Sequence, residues 1–84
     1  MSNCDTKPSP PAQHSLDTSG LVCPEPLMLV RNRVREMRSG EILHVRATDP
    51  STVRDFSNFC RFMGHDLQQQ IQSDQGFEFW IAKG

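Results

Sequence analysis

The chain lacks a cysteine pair, a charge of one sign and a long apolar run, and each absence narrows the field. Its three cysteines, Cys4, Cys23 and Cys60, are odd in number and form no CxxC unit. That argues against a disulfide framework and against a standard zinc site. The net charge of −1 supplies no general electrostatic pull toward nucleic acid or a membrane surface. No apolar stretch is long enough to cross a bilayer, and the N-terminus has no apolar core of a secretory signal. The expectation is a cytoplasmic protein whose thiols stay reduced.

What is present is an ordinary soluble composition, 36% hydrophobic and 23% charged over 84 residues, enough for one small domain with one modest core. Residues Met1 to Gln13 are polar, hold Pro8, Pro10 and Pro11, and show no apolar periodicity. They read as a disordered tail, which leaves Cys4 a solvent-exposed bystander. The domain is expected over residues 14–84.

The stretch Gly20-Leu21-Val22-Cys23-Pro24-Glu25-Pro26 carries the most chemical information. Proline is tolerated in the first helical turn, because the N–H it lacks would be unpaired there. Pro24 and Pro26 therefore mark a helix start with Cys23 at or next to the cap. Unpaired N–H groups and the positive end of the helix dipole meet at that point. A thiolate is stabilised there, and the thiolate is the reactive form of cysteine. The expectation is a Cys23 thiol more acidic than a free one, opposed weakly by the carboxylate of Glu25. A buried structural cysteine preceding a helix is the alternative.

The remaining pattern alternates strands and helices. His14 to Thr18 is a short strand with Leu16 inward. Pro24 to Ser39 is a helix with Leu27, Val30, Val34 and Met37 on one stripe and Gly40 at its C-terminal cap. Arg31 and Arg35, one turn apart, are either a solvated face or a basic docking patch near the cysteine. Glu41 to Thr48 is a strand with Leu43, Val45 and Ala47 buried and His44 on the open face.

Asp49 and Pro50 open a second helix, with Asp49 as its cap. Its inner stripe is Val53, Phe56, Cys60 and Met63, flanked by Phe59 and Phe62, and Gly64 ends it. Cys60 reads as a core residue, and with His65 it makes no convincing metal pair. His65 to Ser73 places Leu67, Gln69 and Ile71 on one face. Asp74-Gln75-Gly76 turns the chain, and Phe77, Phe79 and Ile81 alternate with a partly exposed Trp80. The order βαβαββ predicts an α+β two-layer sandwich, with two helices on one face of a four-stranded mixed sheet. Its first crossover is right-handed, and Cys23 follows the carboxyl end of the first strand, where chemistry gathers in open sheets.

Leu16-Asp17, Gly20-Leu21-x-Cys23-Pro24-Glu25-Pro26, Gly40-Glu41, Asp49-Pro50 and Phe59-Cys60-x-Phe62-Met63-x-His65 together resemble the TusA (SirA-like) family of small sulfur carriers, from about His14 to the end. The resemblance implies a persulfide carrier, a sulfurtransferase-type relay rather than a stand-alone turnover enzyme. Cys23 would take sulfur from a cysteine desulfurase of the IscS type, with Pro24, Glu25 and Pro26 in support. It would pass that sulfur to a TusBCD-type complex through the TusD subunit, for 2-thiouridine at the tRNA wobble position. Relatives that feed molybdenum cofactor assembly or sulfur oxidation would share fold and motif, and a thiol redox module is a further alternative. No cofactor, metal, membrane or direct nucleic-acid contact is implied, and a monomer is expected.

Overall fold

The computed structural model describes residues 12–84; Cys4 and the first eleven positions of the expected tail lie outside them. The elements are β1 (His14–Thr18), α1 (Glu25–Arg35), β2 (Ile42–Ala47), α2 (Ser51–Met63), β3 (Asp66–Ser73) and β4 (Gly76–Ala82). They form one four-stranded sheet in the order β1-β2-β4-β3, with β1 and β2 parallel and the other neighbours antiparallel. The architecture is the α+β sandwich that the alternating pattern predicts. Gln13, at the end of the expected tail, already belongs to the domain: its N–H donates to the Ile42 carbonyl at 3.1 Å and its Oε1 accepts the Ile42 N–H at 2.9 Å.

Both helices press one apolar stripe onto the same face of the sheet. Val30 and Val34 of α1 meet Phe56, Phe59 and Cys60 of α2 over Leu43, Val45, Ala47, Phe79 and Ile81. Phe56 and Phe79 meet edge to face, ring centres 4.7 Å apart, a preferred aromatic geometry. Burying a phenylalanine fully contributes roughly 1.5–3 kcal/mol, so this pair anchors the helix layer to the sheet.

The structure corrects four sequence expectations. Helix α1 ends at Arg35 rather than Ser39. The N–H groups of Glu36 and Met37 reach back three residues, to Arg33 and Val34, and such tightening closes a helix early. Gly40 is therefore not the cap; it sits at φ +92 in the following turn. In α2, Pro50 occupies the cap position with Asp49 just outside it, although Asp49 Oδ1 still accepts the Ser51 N–H at 3.2 Å. Met63 is 61% exposed, as Phe62 is at 76%, and Phe59 takes the core place.

The fourth correction concerns the last two strands. A bulge between Leu67 and Gln69 inserts one residue into β3, and one extra residue exchanges the faces of everything after it. Leu67 pairs with Ile81 on the core side, whereas Ile71 pairs with Glu78 on the open side. Trp80 lies on the open face but is only 6% exposed. It stacks on His44, ring centres 4.6 Å apart, and His44 Nε2 is 2.8 Å from Glu78 Oε1. β4 is an interior strand, so Trp80 has cross-strand neighbours on both sides, His44 and Gln69.

Candidate functional site

Parallel pairing of β1 with β2 sets Thr18 beside Ala47. The loops that leave those two residues therefore run side by side before entering α1 and α2. The first loop turns at Gly20, which has φ +85, a conformation glycine adopts without steric cost. Its N–H donates to Thr48 Oγ1 of the second loop at 2.9 Å. Three residues later the Cys23 N–H donates to Asp49 Oδ2 at 2.7 Å. Asp49 also accepts the Ser51 hydroxyl at 2.8 Å, so one carboxylate ties the two helix starts together. These bonds hold its carboxyl below the usual aspartate range, that from Cys23 first.

Cys23 sits one residue before the α1 cap, which is Pro24, and is exposed. Pro26 is buried under the first turn, while Glu25 stands exposed beside it. The Cys23 sulfhydryl donates to Asp55 Oδ2 of α2, with Sγ and oxygen 3.4 Å apart. The thiol is held above its ordinary value, first by that hydrogen bond, then by desolvation and by the charges of Asp55 and Asp49, with Ser51 acting in the opposite sense.

This reverses the acidity expected from the sequence, and the physical reason is plain. The helix terminus acts as about half a positive charge spread over a turn, whereas Asp55 is a full negative charge in direct contact. Glu25, the carboxylate singled out in the sequence, is not the one that touches the sulfur.

Asp55 was invisible to a reading confined to local motifs. The signal for it lay in topology: a parallel β1–β2 pair brings both helix starts to one end of the sheet. Asp55 then lies one turn beyond Ser51, on the helix that begins there.

Arg31 and Arg35 are both exposed on α1. They line a groove between the helices with Val34, Phe59, Met63, His65 and Lys83. Arg31 also faces an adjoining groove formed by Leu27, Asp55, Asn58, Phe59, Phe62 and Met63. Asp55 thus belongs both to the sulfur's contact shell and to the mouth of this groove. Exposed Met63, which the helical pattern assigned to the inner stripe, and Phe62, which it set beside that stripe, form its apolar wall. Cys60 is 3% exposed, and burial pushes its thiol up to about 11. Among the described residues no group of three or more His, Cys, Asp or Glu side chains could hold a metal, and no helix is long and apolar enough to cross a membrane.

A small mixed sheet lies under two helices, and a single described cysteine is exposed where both helices begin. Residues 14–83 match the family described as sulfurtransferase TusA, and the chain belongs to that family. The fold is shared with a crystal structure of a SirA-like protein from Desulfitobacterium hafniense, at a TM-score of 0.76 and 22% identity, covering 86% of this chain and 99% of that one.

Proposed function

We propose that the protein carries sulfane sulfur on Cys23 as a persulfide, accepting it from a cysteine desulfurase and relaying it to a TusBCD-type complex for 2-thiouridine formation at the tRNA wobble position. The observation that carries the reading is the contrast in access: Cys23 is exposed at the meeting of two helix starts, while Cys60, the other described cysteine, is sealed in the core. A carrier needs a sulfur that two different proteins can reach. It also needs no thiol close by, because a neighbouring thiol would discharge the persulfide by exchange. Among the described residues the burial of Cys60 also disfavours a redox module, which would require a resolving cysteine within reach. Pro24 and Pro26 fix the turn that presents the sulfur. Arg31 and Arg35, beside exposed Phe62 and Met63, form the docking rim that donor and acceptor share.

Incubation of the full chain with a cysteine desulfurase and cysteine adds one sulfur mass, located on Cys23 by peptide mass spectrometry. A deletion strain loses wobble 2-thiouridine, restored by the wild-type gene and not by Cys23→Ala. Normal thiolation in the deletion strain, with loading intact, would redirect the sulfur to a different acceptor, such as molybdenum cofactor assembly or sulfur oxidation.

A further inference from the structure

We propose that Asp55 is a positioning residue for Cys23 that restrains its sulfur as the thiol while the carrier is empty, an inference that rests on the persulfide reading of the same site. Asp55 Oδ2 lies 3.4 Å from Sγ and accepts the sulfhydryl proton. A second carboxylate, Asp49, fixes the Cys23 backbone from the same side at 2.7 Å. The Asp55 side chain is 17% exposed, with the Arg54 guanidinium 3.7 Å from its other oxygen, so its charge is partly shielded from water on the helix face where the sulfur rests.

The charged and polar groups around the sulfur come from every element packed there. Glu25 stands on the first turn of α1. Asp49 and Ser51 come from the start of α2, Asp55 and Arg54 from its next turn. Arg31 lines the same groove as Asp55. The carboxylates that bear on the thiol are Asp55, in contact with it, and Asp49; each helix terminus answers with only about half a charge spread over a turn, and Arg54 pairs with Asp55 rather than with the sulfur. Loss of the proton would set a sulfur anion against the Asp55 carboxylate, a like-charge pair that disfavours the anion.

The consequence is selectivity in time. Electrophiles and oxidants react with the thiolate, so a carrier that keeps its exposed sulfur protonated is spared side reactions between transfers. With Cys60 buried, no described thiol could rescue Cys23 once it was oxidised. The restraint lies on the face that also forms the groove. A partner cation meeting Asp55 there would release it on contact.

The test is the pH dependence of Cys23 alkylation by iodoacetamide in the full chain, read by peptide mass spectrometry for wild type, Asp55→Asn and Asp55→Glu. The expected result is a midpoint that moves to lower pH in Asp55→Asn, with a several-fold faster rate at pH 7, and returns toward wild type in Asp55→Glu. Thermal melts of the three proteins report whether each is folded. An Asp55→Asn midpoint equal to wild type overturns the proposal, as does an Asp55→Glu profile that stays with Asp55→Asn. No sulfur donor enters this measurement, so its failure leaves the carrier reading untouched. That reading fails separately if Cys23 takes up no sulfur from a desulfurase.

Discussion

Cys23 and Cys60 are both held in the thiol form, yet for opposite physical reasons. Cys60 is shielded: it belongs to the buried core that Phe56, Phe59 and the inner residues of the sheet form, and desolvation of the charged form dominates its shift. Cys23 is exposed, and the leading cause of its shift is a hydrogen bond to a carboxylate. Burial is a permanent property of the fold. A carboxylate at a surface can be answered by a partner's charge. What separates the working sulfur from the structural one is therefore access rather than resting acidity.

The sharpest way to break this comparison is to remove each sulfur in turn. Cys23→Ser is expected to abolish sulfur uptake from a desulfurase, while Cys60→Ala continues to load to one sulfur per chain. Mass spectrometry of the intact protein reads both, and a Cys23→Ser protein that still loads would end the distinction.

How much of this was legible in the sequence follows the range of the interactions involved. The sandwich, the helix beginning at the Cys-Pro-x-Pro stretch and the buried faces of β2 and β4 rest on local periodicity, and local periodicity is written in consecutive residues. The end of α1 and the α2 cap were decided by local turns, whereas the misreadings at Ile71, Trp80 and Cys23 involve residues distant in sequence. Ile71 changes face because Gln68 is bulged, an irregularity that depends on pairing with β4. Trp80 is covered because β4 inserts between β2 and β3 and brings His44 to it. The acidity of Cys23 turns on Asp55, 32 residues away and touching only after the parallel strands align. Motif spacing placed the sulfur correctly at a helix start; the charges that decide its state come from the other helix.

A smaller effect sharpens the comparison at the docking rim. Arg31 is exposed and lines both grooves between α1 and α2. Charges on an interface rim mainly set encounter rate and partner choice. Arg31→Glu should slow sulfur transfer from the desulfurase several-fold, with an unchanged melting temperature. Transfer kinetics against salt would show the difference shrinking as ionic strength rises. An equal rate would remove Arg31 from the surface that presents Cys23.

On the structural side, Cys60→Ala should cost about 1 kcal/mol of stability, the order seen when a small buried group is deleted and the site relaxes incompletely. Urea unfolding measures it. The corresponding cost for Cys23→Ser should be close to zero, as for most surface substitutions. A Cys23→Ser protein as destabilised as Cys60→Ala would mean that the exposed sulfur also supports the fold.

The smallest expected effect lies at the far end of the helical groove, where His65 follows α2. Its Nδ1 accepts the Gly84 N–H at 3.0 Å, a role open only to the neutral ring, and its ring lies 5.2 Å from that of Phe59. Desolvation, then the nearby Lys83 ammonium, hold its pKa below the ordinary histidine value of 6.5. The folded protein thus binds fewer protons at His65 than the unfolded chain does within that window. Its contribution to stability is fully present above pH 6.5, and is lost as the pH falls through the lower folded value. Melting temperatures of wild type and His65→Phe at pH 7.5 and pH 5.5 separate this from the acid titration of Asp17, Glu41 and Asp49. Those carboxyls are all held below their ordinary values of 3.8 to 4.5, so their contributions fade only at more acid pH. The fall in melting temperature between pH 7.5 and 5.5 should be smaller in His65→Phe than in wild type. An identical fall in both would mean that the ring at position 65 carries no proton-linked stability.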